Sequence, residues 1–459
     1  MNERAALLAA VGLSAASALA GAACPDSTPY RFLRFEENYA YLRDAACRTD
    51  PWDAIKFIPL DGDGERFLTL GGDARLKLIN GRDIVIGEDQ GDSRNVAAQR
   101  FHVHASLRAA SAMRFFVEVK ANAVSGREPA PLPTDVDKID THQAFVDLGS
   151  GAAILRLGRQ ELLFGAGRRI FPRNGSNVRG SFDAARLTLN AGEWRGDAFV
   201  FHPVEIDKGA FDDAPVRAQR IGGIYMTKTF AAARPMTLDL YWIQSERDRV
   251  RFGSTTGDER RESFGARLAG RNAPWDLDVE GAVQTGRFAG AAVRAWAITG
   301  DAGYTFPGPH RPRLTLRLSA ASGDKDPADP ALQTFHSLFP LGNILDDYFN
   351  ISVANVLFAR PGLEMDLSSS LRARVDAGWT RRMSDRDAIY GPGGAVLRTS
   401  GASRAREVGH DIGGRLVWAV QRHLSIDLSG GYYYAGEFLK ETAPTRNMWI
   451  AFAYISYRF

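Results

Sequence analysis

Two histidines spaced as metal ligands could be lie in the segment Arg100–Arg108, which reads RFHVHASLR. His102 and His104 are two residues apart, so on a β-strand both rings would project from one face. Protein zinc sites combine such histidines with further histidines, cysteines or carboxylates at characteristic spacings. No cysteine, third histidine or local carboxylate pattern completes a site beside this pair. We therefore interpret the two rings as part of a polar strand face and expect no cofactor.

Aspartates in two loops are the second candidate for chemistry, because Ca²⁺ prefers oxygen ligands. Asp324, Asp326 and Asp329 lie close together in one segment, and Asp385 and Asp387 in another. A loop calcium ion is one interpretation, and ordinary solvated turns are the one we favour. The chain has no Gly-x-Ser-x-Gly elbow, phosphate-binding loop or His-Glu-x-x-His motif. The sequence therefore does not predict an enzyme.

Arginine dominates the charge of this chain. Among 459 residues there are 57 Lys+Arg, only 8 of them Lys, against 54 Asp+Glu, which leaves a net charge of +3. So small a net charge excludes a nucleic-acid binder that relies on bulk positive charge. A guanidinium group suits bidentate recognition of carboxylate or phosphate. A GC-rich genome would give the same excess, and that alternative stays open.

The N-terminal segment predicts export from the cytoplasm. Residues 5–23 form an apolar run after Arg4 and end in small residues, which is typical of a secretory signal peptide spanning residues 1–22. A membrane anchor would need about 20 strongly apolar residues, whereas this run is mostly Ala, Gly and Ser. Cys24 and Cys47 could pair in an oxidising compartment, or Cys24 could carry a lipid.

The segment 23–65 reads as an irregular lead-in, and from residue 66 to residue 459 apolar and polar residues alternate. Segments 9 to 14 residues long repeat this pattern, as in Arg100–Arg108 and Met113–Asn122. Strands in soluble sandwiches average five or six residues, whereas a tilted membrane-spanning strand needs about 9–11. The least secure strand covers residues 354–367, since Pro361 removes a ladder donor and Asn355–Phe358 could instead be helical.

Counting these segments gives about 18 strands, joined alternately by short turns and by longer polar links. An even number of strands with this alternation predicts an all-β, transmembrane antiparallel barrel with short periplasmic turns and long extracellular loops. A long polar link is predicted near 247–259, the link near 288–291 is a short exception on the outer side, and we expect the loops 161–181 and 323–350 to fold inward and set the bore. We expect insertion in the bacterial outer membrane, contact with its lipid, and recognition of the aromatic C-terminal strand by the barrel assembly machinery. The oligomeric state is not predicted.

If the apolar faces meet lipid, the opposite faces enclose the lumen and carry more arginine than acid. Structural salt bridges between neighbouring strands are the alternative reading for any single arginine. The cationic residues placed inward by alternation are Arg75, Lys77, Arg100, Arg108, Arg114, Lys120, Arg156, Arg186, Arg313, Arg317, Arg372, Arg374, Arg415 and Arg446.

The sequence resembles the alginate export family of outer-membrane barrels. The resemblance covers nearly all of the mature chain, and its most specific part is RLGRQ at Arg156–Gln160 followed by SFDAAR at Ser181–Arg186. The other matching stretches are DAIKFIPL at Asp53–Leu60, LTLGGDAR at Leu68–Arg75, TFHSLFPL at Thr334–Leu341, GWTR at Gly378–Arg381 and DAIYGP at Asp387–Pro392.

This resemblance implies a passive, anion-selective channel with an arginine-rich constriction. Carried over by motif, the lumen residues would be Arg75, Arg156, Arg159, Asp183 and Arg186, with Arg381 as a weaker match. Arg159 needs a bulge or strand end at Gly158 to face inward, because alternation places it outward. We expect anionic solutes as the cargo, and export of an acidic polysaccharide such as alginate is one interpretation. The alternatives are a barrel enzyme acting on lipid or glycan and a structural or adhesion barrel with a plugged bore.

Overall fold

The structure is a closed antiparallel β-barrel of 18 strands. The computed structural model describes residues 24, 30–82, 93–127, 131–230, 235–252, 255–326, 328–340 and 351–459. The predicted signal peptide lies outside these residues. Each strand pairs with its neighbours in the chain, and the last strand pairs with the first through Asp73↔Arg458 to Arg82↔Trp449, which closes the ring.

The strands, numbered in chain order, are β1 Phe67–Arg82, β2 Ser93–Ala110, β3 Met113–Ser125, β4 Asp137–Ser150, β5 Ala153–Gln160, β6 Phe182–Ala191, β7 Trp194–Glu205, β8 Gln219–Phe230, β9 Met236–Phe252, β10 Thr255–Asn272, β11 Trp275–Phe288, β12 Ala291–Thr305, β13 Arg313–Ala321, β14 Val356–Asp366, β15 Leu371–Arg382, β16 Glu407–Ala419, β17 Leu424–Ala435 and β18 Met448–Arg458. The predicted fold class is confirmed. The doubtful segment 354–367 forms β14 rather than a helix, and the β14–β15 pairing is interrupted between Ala359 and Gly362, where Pro361 has no N–H to donate.

Alternation along each strand separates an apolar outer face from a polar inner face. On β2 the side chains of Phe101 and Val103 are 53% and 56% exposed, whereas Arg100, His102 and His104 are each 2% exposed. Large apolar groups that are this exposed on every side of a barrel indicate contact with lipid rather than water. The polar residues therefore face the lumen.

The two rims of the barrel differ as predicted, with one correction. Two-residue turns such as 111–112, 151–152 and 192–193 lie on one rim, and the connections 161–181, 322–355 and 383–406 lie on the other. The link predicted near 247–259 is mostly strand, because β9 continues to Phe252 and β10 begins at Thr255. Its polar residues are typical of a loop. Strands that extend beyond the bilayer can be polar on both faces, however, because both faces are then exposed to water.

The short link between β11 and β12 is a tight turn. Ala289 and Gly290 have φ of 47° and 86°, which is the arrangement of a two-residue hairpin that follows strand twist. Among the described residues, no helix is both long and apolar enough to span a bilayer.

The lead-in packs at the rim of short turns, which faces the periplasm in outer-membrane barrels. It contains 3₁₀ turns at Arg34–Glu36, Ala40–Arg43 and Ala45–Cys47, and one helical turn, α1, at Asp53–Lys56. Cys24 and Cys47 form a disulfide, one of the possibilities that the sequence left open. The guanidinium group of Arg34 donates to the carbonyl oxygens of Gly72 and Phe459 at 2.9 Å each, which joins the lead-in to the seam where the barrel closes.

Most buried apolar side chains lie inside the barrel rather than between layers of structure. They come from the connections that fold inward and from the strand ends near the rim of long connections, and include Leu162, Phe164, Ile170, Phe335, Leu338 and Val353. A helical turn, α2 at Glu437–Thr442, adds Phe438 and Leu439 to the same cluster. Loops without apolar residues would stay outside in water, so these side chains explain why the connections enter the lumen.

Candidate functional site

The connection between β5 and β6, residues 161–181, folds into the lumen and is called the inner loop here. On one side Arg168 donates to Asp278 on β11 at 2.8 Å and to Asp301 on β12 at 2.9 Å. The next residue, Arg169, donates to the hydroxyl of Tyr241 on β9 at 3.0 Å. Three strands of one wall thus hold the first half of the loop.

The second half of the inner loop is held by the opposite wall. Arg75 on β1 donates to the carbonyl oxygens of Asn174 and Ser176, at 2.7 Å each. Lys77 on the same strand donates to that of Gly175 at 3.0 Å. Arg100 on β2 donates to the carbonyl oxygens of Asn174 at 3.0 Å and Asn177 at 2.7 Å. A loop held from both walls crosses the lumen and narrows it.

A second connection, between β13 and β14, packs on the inner loop from the outer side. Phe339 bridges to Ile170, and the guanidinium carbon of Arg169 lies 4.7 Å above the ring of Phe335. The sequence had suggested that residues 161–181 and 323–350 both fold inward. Residues 341–350 lie outside the described part of the chain; for the remainder the structure agrees.

Most arginines that were predicted to line the lumen do face it, and they are paired with carboxylates. Arg114 and Arg156 share Asp147, at 2.5 and 2.6 Å, and Arg186 bonds Asp197 at 2.8 Å. The further pairs are Arg317 with Asp301, Arg374 with Asp376, Arg415 with Asp427, Arg313 with Asp276 and Glu364, and Arg372 with Asp366. Most of these pairs join neighbouring strands, which was the structural alternative, so their charge is compensated locally.

Four of the predicted site residues lie elsewhere. Arg159 and Asp183 form a salt bridge of 2.8 Å. Arg159 is on the same strand face as the exposed Leu157, and Asp183 is on the same face as the exposed Leu187, so both lie on the outer face of the barrel. Gly158, with φ of 125°, precedes Arg159 but does not change this orientation. Arg381 is exposed and shares the phase of the outward Trp379, and Arg446 is exposed in the link before β18.

Lys120 occupies the inner face of β3, where it is closed off from the lumen. Its ammonium group lies 2.8 Å from Asp137 and 2.6 Å from Asp213, and the side chain is 1% exposed. Asp213 belongs to the connection between β7 and β8, which folds over the end of β4. Lys120 is therefore an anchor for that connection.

A model of the family described as alginate export matches residues 66–451. The chain belongs to the alginate export family. It is an outer-membrane channel protein, as the resemblance implied. A search of curated protein sequences finds no match.

Solved structures with a similar fold are outer-membrane porins of Pseudomonas aeruginosa. OccK2 (OpdF), solved in complex with glucuronate, is 14% identical, with a TM-score of 0.57 over 85% of this chain and 98% of that one. OccK1 (OpdK) is 12% identical, with a TM-score of 0.58 over the same shares. OccK11 (OpdR) is 12% identical, with a TM-score of 0.56 over 88% of this chain and 97% of that one. At these identities the likeness shows the fold alone.

The sequence of this alginate export family barrel did not predict that part of the lead-in lies inside the lumen. Phe35 packs between the strands, and the guanidinium carbon of Arg156 lies 4.0 Å from its ring and 4.1 Å from that of Phe145. Arg114 also donates to the carbonyl oxygen of Phe35 at 2.5 Å. The run Phe32–Phe35 of apolar and basic residues was the available signal, but alternation describes only residues in strands.

Proposed function

We propose that this barrel is a passive channel for anionic solutes, with acidic polysaccharide among them, and that cations beside the inner loop attract them. The observation that carries the proposal is that Lys77 and Arg100 donate hydrogen bonds to neutral groups of the inner loop. The described hydrogen bonds of both side chains end on carbonyl oxygens or on the amide oxygen of Asn174, which are neutral acceptors. Unlike the paired arginines, they leave positive charge at the narrowed level of the lumen.

Position strengthens the effect of these two cations. A charge at a narrow constriction acts on a passing ion at shorter range and with less screening than a charge at a wide mouth. Lys77 also faces the rings of Phe452 and Tyr454, at 5.0 and 5.2 Å from the ammonium nitrogen. These contacts stabilise the ammonium group without neutralising it. The carboxylates of the paired ladder would keep any one anion from binding too tightly to leave.

The comparisons support the same class of solute. Alginate, named by the family, is a polymer of uronate sugars, and the OccK2 structure contains glucuronate. An OpdK structure with the same fold contains vanillate. All three are carboxylates, the groups that arginine and lysine recognise through charge-assisted hydrogen bonds.

The outer surface suggests the remaining partners. Exposed Trp418, Trp449 and Tyr432 fit the interfacial belt of a lipid bilayer. We infer that the assembly machinery recognises the aromatic strand β18, which carries Trp449 and Tyr457. No catalytic role is proposed.

Ion selectivity tests the proposal directly. The protein is reconstituted in planar bilayers, and the reversal potential is measured across a KCl gradient. We expect anion preference in the native protein and a fall of roughly twofold in the anion-to-cation permeability ratio for Lys77→Gln. Lys77→Arg should retain the preference, and Arg381→Gln, a matched loss of one charge on the outer face, should leave it unchanged. Cation preference, absent conductance, or an equal effect of both neutral variants contradicts the proposal.

A further inference from the structure

A cluster of buried ionisable side chains lies in the lumen wall below the inner loop. His102 on β2 places Nδ1 2.7 Å from Oε1 of Glu118 on β3. His142 on β4 places Nε2 2.9 Å from Oε1 of Glu161, the first residue of the inner loop. The two imidazole rings lie close together, with centroids 4.9 Å apart and planes inclined by 50°. The inner loop buries the cluster, and the four residues are between 0% and 3% exposed.

A β-bulge brings His142 into this cluster. Glu118 pairs with Gln143 and the next residue, Val119, pairs with Thr141, so His142 is the extra residue of β4. Both His142 and Gln143 are 0% exposed although they are consecutive. Strict alternation would send one of them to the lipid; the bulge turns the histidine inward, as bulges commonly re-aim side chains.

Each ring is held by a carboxylate and leaves its other nitrogen unpartnered. Nε2 of His102 and Nδ1 of His142 are buried, and no hydrogen-bond partner lies near either among the described residues. A buried polar atom without a partner costs about 1–3 kcal/mol, which predicts an occupant that the protein atoms do not supply. A histidine that binds a metal through one nitrogen typically donates from the other to a carboxylate. Both histidines have this arrangement.

We propose that this cluster binds one divalent transition-metal ion, of which Zn²⁺ is the representative probe. One candidate ligand atom from each of His102, Glu118 and His142 lies within 4.8 Å of the others, so the two rings are close enough to share one ion. The open nitrogens of the two rings would coordinate it, while Glu118 and Glu161 orient the rings from behind. Two imidazoles favour Zn²⁺, Cu²⁺ or Ni²⁺ over Ca²⁺ and Mg²⁺, which prefer oxygen.

Local charge is compatible with a cation here. Arg179 pairs with Glu161, with Nε at 2.6 Å from Oε1, and so compensates one carboxylate. Glu118 accepts only neutral donors besides His102, since its second oxygen takes the amide of Gln143 at 2.7 Å. With neutral imidazoles, one negative charge remains to offset the ion. His104 is excluded, because its ring stacks on Phe116 at 5.3 Å.

The site would fix the foot of the inner loop. The two ring nitrogens belong to β2 and β4, and Glu161 is the residue at which the chain leaves β5 for the lumen. An ion shared by His102 and His142 would join β2 to β4, and the hydrogen bond between His142 and Glu161 would tie the start of the loop to that pair of strands. The proposal is independent of which solute the channel passes.

Metal binding is tested on the full-length, untagged protein purified in detergent and stripped with EDTA. Zn²⁺ is titrated in competition with a chromophoric chelator. We expect about one Zn²⁺ per chain, and at least roughly tenfold weaker binding in His102→Gln and His142→Gln. His202→Gln is the matched control, because that ring bonds the carbonyl oxygen of Gln219 on β8 at 2.7 Å, away from the cluster. Excess Ca²⁺ should not displace the zinc.

Native protein alone provides a second measurement, in case a variant fails to insert as judged by its heat-modifiable gel mobility. Zinc X-ray absorption of the loaded protein should show two imidazole nitrogens in the coordination shell. No zinc above the level of the histidine variants, unchanged binding in both variants, or a shell without imidazole would overturn the proposal.

Discussion

The ring of Phe32 in the lead-in stacks on the ring of Phe171 in the inner loop, with centroids 5.1 Å apart and planes inclined by 24°. Arg179 covers the same ring, with its guanidinium carbon 4.6 Å from the centroid. The lead-in enters from the rim of short turns, whereas the inner loop descends from the other rim. The lumen is therefore narrowed by two segments that meet, and each limits the movement of the other.

Removing this contact should widen the channel. Phe32→Ala deletes the ring that joins the two segments, so we expect single-channel conductance to rise by roughly 1.5- to 2-fold, since pore diameter controls flux. Measurement is in planar bilayers at symmetric KCl. Phe115→Ala, which removes a lipid-facing ring that is 43% exposed, is the control and should not change conductance. Equal conductance in all three proteins would mean that the contact does not limit the bore.

Arg156 should matter more for stability than for selectivity. It bonds both oxygens of Asp147, at 2.6 and 3.0 Å, and lies between two aromatic rings. Arg156→Gln removes both of these bonds and the contacts with the rings but leaves Asp147 paired with Arg114, so it should lower the free energy of unfolding by about 2 kcal/mol. Arg195→Gln removes an arginine whose side chain is 47% exposed, from a pair with Asp197, and should cost less than about 1 kcal/mol. Urea unfolding in lipid vesicles compares them, and similar losses would refute the argument.

The positions of the strands could be predicted from the sequence, because the alternation of apolar and polar residues depends only on neighbouring residues in the chain. Even β14 was placed correctly, although Pro361 interrupts its ladder. This alternation does not predict contacts between segments that are far apart in the chain. Lys77 and Arg100 were predicted to line the lumen, but their bonds to the inner loop depend on how that loop folds.

The histidine cluster shows the same limit at a finer scale. Its partners come from β2, β3, β4 and the inner loop, and His142 joins only because a bulge shifts the phase of β4. A one-residue shift leaves no clear signal in hydrophobic alternation. His102 and His104 therefore looked incomplete in sequence, although a third histidine and a carboxylate are close in space.

Stability of the outer loops should depend on the protonation of Asp324. Burial, with a contribution from the Asp387 carboxylate, raises the pKa of Asp324 to about 6. The folded state then holds the proton more tightly than the unfolded chain, in which the pKa is about 3.9. This contribution is complete below pH 4 and is lost as the pH rises towards 6.

Asp324→Asn keeps the neutral form at every pH. Because the side chain is partly exposed to water, we expect a gain of only about 1 kcal/mol above pH 6 and none near pH 4. Thermal unfolding at pH 7.5 and pH 4 measures the difference, with the exposed Asp207→Asn as control. A gain that is equal at both pH values would point to a cause other than protonation.

The disulfide should secure the lead-in without supporting the barrel. Cys47 is buried against Tyr39, Leu42, Phe57 and Phe67, and its bond to Cys24 closes a loop with a sequence separation of 23 residues. By restricting the unfolded chain, such a bond stabilises the folded lead-in by about 3 kcal/mol. The barrel does not depend on it, because its strands form a hydrogen-bonded ring that closes between β18 and β1. Cys24→Ser with Cys47→Ser should therefore speed proteolytic cleavage within residues 30–66 at least about tenfold, while the heat-modifiable mobility of the barrel stays unchanged. Loss of the folded barrel band would show instead that the lead-in is needed to close the seam at Gly72 and Phe459.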